Sequence, residues 1–221
     1  MKSSRPRAAG RKRHASPVAT RLARELAGEE APKTKATPLD AFKLAKKKWL
    51  AGERIDIGAL AKELGVGRAT LFRWVGSREL LIGEIIWSIQ MPFMEQARAE
   101  VRARGAKGAA YVAGVSERLM EEIRSFAPLR RFIENDAEFA LRVLTSKSST
   151  VQSRNVELVR QNLVDQVERG HLTPPLPIDT LAYVIVRIGE AFVYADVISG
   201  REPAIDQAAA AILVLLGGKP R

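Results

Sequence analysis

Between Ile57 and Leu81 the chain reads IGALAKELGVGRATLFRWVGSRELL. Ile57, Leu60, Ala61 and Leu64 recur at helical spacing behind Asp56, a good N-cap residue. Gly65 stands where a left-handed C-cap is wanted. A second short stripe, Leu71 and Val75, follows over 68–75 and ends at Gly76-Ser77. Two short helices joined by about four residues, with glycine at the joint, have helix-turn-helix geometry. Ala61 is small where the second helix must come close. If Leu60, Leu64, Val66, Leu71 and Val75 share one core, then Arg68, Ala69, Phe72 and Arg73 face outward. A two-turn helix fits the DNA major groove, where arginine can bind guanine O6 and N7 together.

The flanks are also helical. Thr37-Pro38-Leu39-Asp40 combines a cap, proline in the first turn and an acid near the helix N-terminus. Leu39, Phe42, Leu44, Ala45, Trp49 and Leu50 then make an apolar side up to about residue 51, and Gly52 ends it. After the motif, a long helix is predicted over 78–104, bent near Pro92. Further helices are predicted over 107–124, 128–145, 151–169, 178–198 and 203–216, punctuated by Gly105, Pro128, Gly170, Pro174-Pro175 and Gly200. No segment alternates like a strand. The expected fold is all-α, with about nine helices. An N-terminal three-helix DNA-binding domain over 37–85 precedes a helical ligand-binding and dimerisation domain over 86–221. Residues 1–36 are expected to be a flexible basic arm, in which 17–28 could form a short helix capped by Ser16, with Val18, Leu22, Ala23 and Leu26 on one face.

Charge follows the same division. Of the formal +11, residues 1–36 carry +7, residues 37–84 carry +3 and residues 85–221 carry +1. The positive end suits a polyanion. The absence of cysteine excludes disulfides, thiolate metal sites and cysteine nucleophiles, and points to a reducing cytoplasm. His14 and His171 are the only histidines, too few for a metal site or acid–base relay built on several. Glu121–Glu122 and Glu134–Asp136 are too close in sequence to face one another on a helix. No phosphate loop or nucleophile elbow is present. No enzyme, metal or cofactor is expected. No signal peptide is expected, and no run reaches the length of a membrane span; 204–216 is short and interrupted by Asp206 and Gln207.

LAKELGVGRATLFRWVGSRELL resembles the DNA-binding motif of TetR-family regulators, roughly L-A-x-x-x-G-V-S-x-x-T-L-Y-x-[HY]-F-x-[SN]-K-[ED]-x-L. Leu60, Ala61, Gly65, Val66, Thr70, Leu71, Val75 (apolar at the Phe position), Ser77, Glu79 and Leu81 match in order. The resemblance covers residues 39–85, and the body is similar to the QsdR-like subgroup. Several positions depart from the pattern. Gly67 replaces a Ser/Thr cap, and Phe72 lacks the tyrosine hydroxyl. Trp74 stands for His or Tyr, Arg78 for Lys, and Ile57 and Gly58 lack polar side chains. The resemblance implies a homodimer on palindromic DNA, controlled by a small effector. Arg68, Ala69, Thr70 and Arg73 are the expected groove residues, and the outward-facing Phe72 is counted with the DNA-binding set. Thr70, Trp74, Arg78 and Lys48 are the expected phosphate contacts.

In the body, Trp87, Met91, Phe93 and Met94 put soft apolar bulk on one helix. Tyr111, Phe126, Phe132 and Phe139 add aromatics, and Asn155 and Asn162 are polar groups on an amphipathic helix. Arg187 and Glu190 interrupt the apolar run Leu181–Val193. The expected ligand site comprises Trp87, Met91, Met94, Tyr111, Asn162, Arg187 and Glu190, holding an apolar molecule with one polar head, such as an acyl chain or lactone. Core packing and an internal ion pair are the alternative for each residue. The dimer interface is expected from 178–198 and 203–216, with Ala208–Ala211 allowing close approach and Ile212, Leu213, Leu215 and Leu216 supplying apolar surface. The expected mechanism is repression, with release by effector. The alternative function is a constitutive basic DNA- or RNA-binding protein without small-molecule control.

Overall fold

Helical spacing becomes twelve helices and no strand among the described residues, 20–28 and 36–219 of a computed structural model. Most of the expected basic arm, 1–19 and 29–35, lies outside the described residues. Residues 20–28 contain α1 (Arg21–Leu26), capped by Thr20 and not by Ser16. Leu22 is completely buried, because α1 packs on two later helices, α2 (Pro38–Leu50) and α4 (Arg68–Val75). This part of the expected arm is therefore a docked element.

The start of α2 forms as its sequence dictates. The Thr37 hydroxyl accepts from Asp40 N at 3.1 Å, and the Asp40 carboxylate accepts from Thr37 N at 3.0 Å. Two backbone donors are satisfied reciprocally. The carboxylate is held below its usual range first by the Thr37 hydroxyl, which donates to it at 2.8 Å, and then by the Thr37 backbone N–H. Asp56 caps α3 (Ile57–Glu63), accepting from Ala59 N at 2.7 Å. Gly65, at φ +66°, lets Val66 N donate back to the Ala61 carbonyl at 3.0 Å and turns the chain into α4. Ser77 caps α5 (Arg78–Ala103), which continues through Pro92.

The remaining chain forms α6 (Gly108–Ser125), α7 (Ala127–Asn135), α8 (Ala137–Thr145), α9 (Val151–Glu168), α10 (Ile178–Val193), α11 (Ala195–Ser199) and α12 (Ile205–Leu215). Two predicted single helices are split. Asp136 has φ −160°, and its side chain accepts from Phe139 N at 3.1 Å, so it starts α8 where a continuous 128–145 was expected. Tyr194, at φ −106° and ψ 21°, separates α10 from α11. The body packs α6 between α5 and α12, and α10 against α9 and α12. Gly83 makes a close approach: a Cβ there would lie 2.9 Å from Ser149 Cβ. One residue on, Glu84 receives a two-pronged bond from Arg154 on α9, at 2.7 and 2.9 Å. No helix among the described residues is long and apolar enough to cross a membrane.

Candidate DNA interface and body cavity

The outward face of α4 carries Arg68, Ala69, Phe72 and Arg73, all exposed, while Leu71 and Val75 are buried. The Arg68 guanidinium lies 5.6 Å from the Phe72 ring centroid, and Arg73 Nη2 donates to Thr70 Oγ1 at 3.3 Å. Gly67 offers no side-chain cap, so no side chain of its own competes for the first N–H groups of α4. These amides and the helix dipole favour an anion at that end. The face thus combines two guanidinium donors, an apolar ring suited to a thymine methyl, and a cationic approach to the backbone.

Two expected DNA contacts lie in settings different from the open face. Trp74 is only 2% exposed, beneath Arg21 of α1 at 5.8 Å, so it faces the core and not the groove. Its large ring fills the space between α4 and the added helix. Lys48 pairs with Glu63 at 3.1 Å and Glu53 at 3.4 Å, which ties α2 to α3 and engages its charge within the chain. Arg78 is half-buried, its guanidinium 4.0 Å over the Phe139 ring of α8. A stacked guanidinium can still donate from its edge. Phe139 meets Phe132 edge-on at 5.9 Å, and Phe132 meets Trp49 of α2 at 5.8 Å. Rings therefore join the motif to α7 and α8. A cleft of about 320 Å³ opens beside them, bordered by Arg54, Arg78 and Asp136.

Within the body, a cavity of about 80 Å³ lies among α5, α6, α9, α10 and α12. Of the expected ligand residues, Met94, Asn162 and Glu190 line it; Trp87, Met91, Tyr111 and Arg187 do not. Trp87 packs partly into the core and lies under the Arg154 guanidinium at 5.3 Å, and Met91 packs against the same core. Tyr111 is buried one turn before the stretch of α6 that reaches the cavity, with Arg102 at 5.7 Å from its ring. Arg187 turns outward: its side chain is 41% exposed, and Nη1 donates to Glu190 at 2.6 Å and to the Thr145 carbonyl at 3.2 Å. Burial holds the Glu190 carboxyl above its ordinary range, against the opposing pull of Arg187.

Gln90, Asn155, Ser116 and Tyr194 also line the cavity and were not among the expected site residues. Gln90 had a signal in the sequence. It interrupts the apolar stripe Ile86–Met94 at four-residue spacing, and it is 4% exposed. Its amide donates to Asn155 across the cavity wall. Of the expected dimer surface, Ile212 and Leu216 are buried within the chain against their own neighbours. The exposed large apolar residues there are Tyr183, Ile198 and Val214. Among the described residues, no cluster of three His, Cys, Asp or Glu is placed to hold a metal.

Residues 107–217, half of the chain, match the tetracyclin repressor-like C-terminal domain family. The structure is similar to that of the R. erythropolis transcriptional repressor QsdR from the TetR family, with a TM-score of 0.76 and 28% identity, covering 83% of this chain and 96% of that one. A looser likeness, TM-score 0.38 at 20% identity, covers 83% of this chain and 98% of the TetR-family regulator PfmR from Thermus thermophilus. No curated protein sequence matches.

Proposed function

The chain belongs to the TetR family of transcription regulators, and on that premise we propose that it is a repressor released from its operator by a small, largely apolar effector. Residues 37–85, with α1 docked on them, are the DNA-reading domain, 86–221 the ligand-binding and dimerising body, and the basic residues ahead of α1 an arm along the DNA backbone. Two copies sit on half-sites related by two-fold symmetry. Arg68, Ala69, Phe72 and Arg73 read base edges, while Thr70 and Arg78 meet phosphates. Tyr183 and Val214 belong to the surface at which two bodies pair through α10 and α12. The observation that carries this reading is the exposed, cation-bearing face of α4, held on a helix-turn-helix whose core is closed.

An effector acts only through different affinities for two conformations, with typical couplings of about 1–3 kcal/mol. The cavity touches α5, the helix that follows the recognition helix directly, so a ligand there can bias the spacing of the two reading heads. Selection of binding sites from random DNA, followed by base-resolved footprinting, tests the regulator reading. A protected palindrome is the expected result. Uniform protection without sequence preference would favour the constitutive basic nucleic-acid-binding protein instead.

A further inference from the structure

The two oxygens of Glu190 are treated differently. Oε2 accepts from Arg187 at 2.6 Å, while Oε1 is buried with no hydrogen-bond partner among the described residues. A buried carboxylate oxygen without a donor is costly, and any donor that reaches it is favoured accordingly. Three neighbouring polar groups spend their donors elsewhere: Gln90 donates to Asn155, Arg98 Nε donates to Asn162 Oδ1 at 3.0 Å, and Ser116 Oγ donates to the Val112 carbonyl at 2.9 Å. Tyr194 also borders the cavity, and its hydroxyl makes no hydrogen bond to Oε1. Much of the remaining wall is aliphatic, with Leu119, Ile185 and Val186 among its members.

Charge narrows the chemistry further. Arg187 already sets one positive charge against this carboxylate, so a cationic ligand would leave an uncompensated charge in a confined, mostly apolar space. A neutral donor completes the hydrogen bonding without that cost. An ester, ketone or simple lactone offers only acceptors, and so would leave Oε1 as it is.

Resting on the reading that this cavity takes the effector, we propose that the effector is a small, mostly aliphatic molecule carrying a neutral hydrogen-bond donor, a hydroxyl or a secondary amide N–H, directed at Glu190 Oε1. The donor selects the ligand, and the aliphatic wall accepts its chain.

Hexan-1-ol and hexan-2-one test this on the full chain. They match in carbon number and both accept hydrogen bonds, but only the alcohol donates. Calorimetric titration should find the alcohol bound about tenfold more tightly by the wild type. Glu190→Met should erase that preference. In Glu190→Gln, Arg187 can only donate, so it holds the amide oxygen and turns the NH2 toward the cavity; the ketone should then gain relative to the alcohol. Melting temperatures identify any variant that fails to fold, and if the Met variant does so, the Gln variant carries the comparison. Equal binding of both probes to the wild type, or an alcohol preference that survives either substitution unchanged, overturns the donor assignment while leaving the cavity as a site. If neither probe binds, nor shifts the melting temperature of the wild type, the cavity is not an effector site and both readings fall.

Discussion

The recognition face and the body handle charge in opposite ways. On α4, Arg68 and Arg73 are exposed and make no ion pair among the described residues, and Arg68 is braced only by a ring. In the body, several guanidinium groups that join helices are matched within the chain: Arg154 to Glu84, Arg187 to Glu190, Arg130 to Asp196 at 2.9 Å, and Arg118 to Glu100, Glu121 and Glu122. Open cations are kept where a polyanion is to be met, and compensated ones where helices must meet each other. The net charge of +11 is correspondingly almost absent from residues 85–221. It also separates two kinds of arginine that composition alone counts together.

The largest effect should come from breaking the pairing of bodies. Tyr183 and Val214 are 48% and 54% exposed, so acidic replacements there leave the chain's own core in place. The double variant Tyr183→Glu, Val214→Glu should run as a monomer in ultracentrifugation and lose operator binding, because one reading head alone makes half the contacts. A dimer that persists would place the interface elsewhere. Next comes the open cation. Arg68→Ala should cost about 1–3 kcal/mol on the best operator and relax selection at one base pair per half-site, read from binding-site selection. An unchanged preference would remove Arg68 from the reading set and weaken the contrast between open and paired arginines.

The smallest effect concerns the frame that holds the face. Thr37→Ala should lower the unfolding free energy by about 1 kcal/mol through loss of the α2 cap. Asp40, its reciprocal partner, has a folded pKa below its ordinary 3.8, so its contribution is present above that value and is lost as pH falls through the folded pKa. The difference between wild type and variant should therefore shrink on acidification below about pH 4, as measured by denaturant unfolding. A difference that stays constant with pH would show that the Thr37 hydroxyl acts without the carboxylate.

The DNA-reading half was legible because its information is local. Caps, glycine joint and outward arginines all lie within a few turns of one another between Thr37 and Leu81. The burial of Trp74 was not legible there, since it depends on α1, some fifty residues away in sequence. The cavity was legible only in part, because its wall is assembled from five helices between Gln90 and Ile212. Arg187 and Glu190 are three residues apart, which puts their directions about 60° apart on a helix. That offset sends one side chain toward the cavity and the other outward, and periodicity alone cannot choose between them. The split at Asp136 was missed for a related reason: a side chain that can cap does so only when the surrounding packing gives the chain room to turn. The split at Tyr194 has no capping side chain to announce it.

The double bond between Arg154 and Glu84 has a mechanical consequence. Glu84 is six residues from Arg78, where α5 leaves the recognition helix, and six residues from Gln90, where α5 meets the cavity. At 1.5 Å per residue each arm is about 9 Å long. If α5 rocks as a rigid rod pinned at Glu84, the pin acts as the fulcrum of an equal-armed balance. A sideways push on Gln90 reaches Arg78 at nearly full amplitude and with reversed direction, so a ligand need move its own wall no further than the reading head must travel.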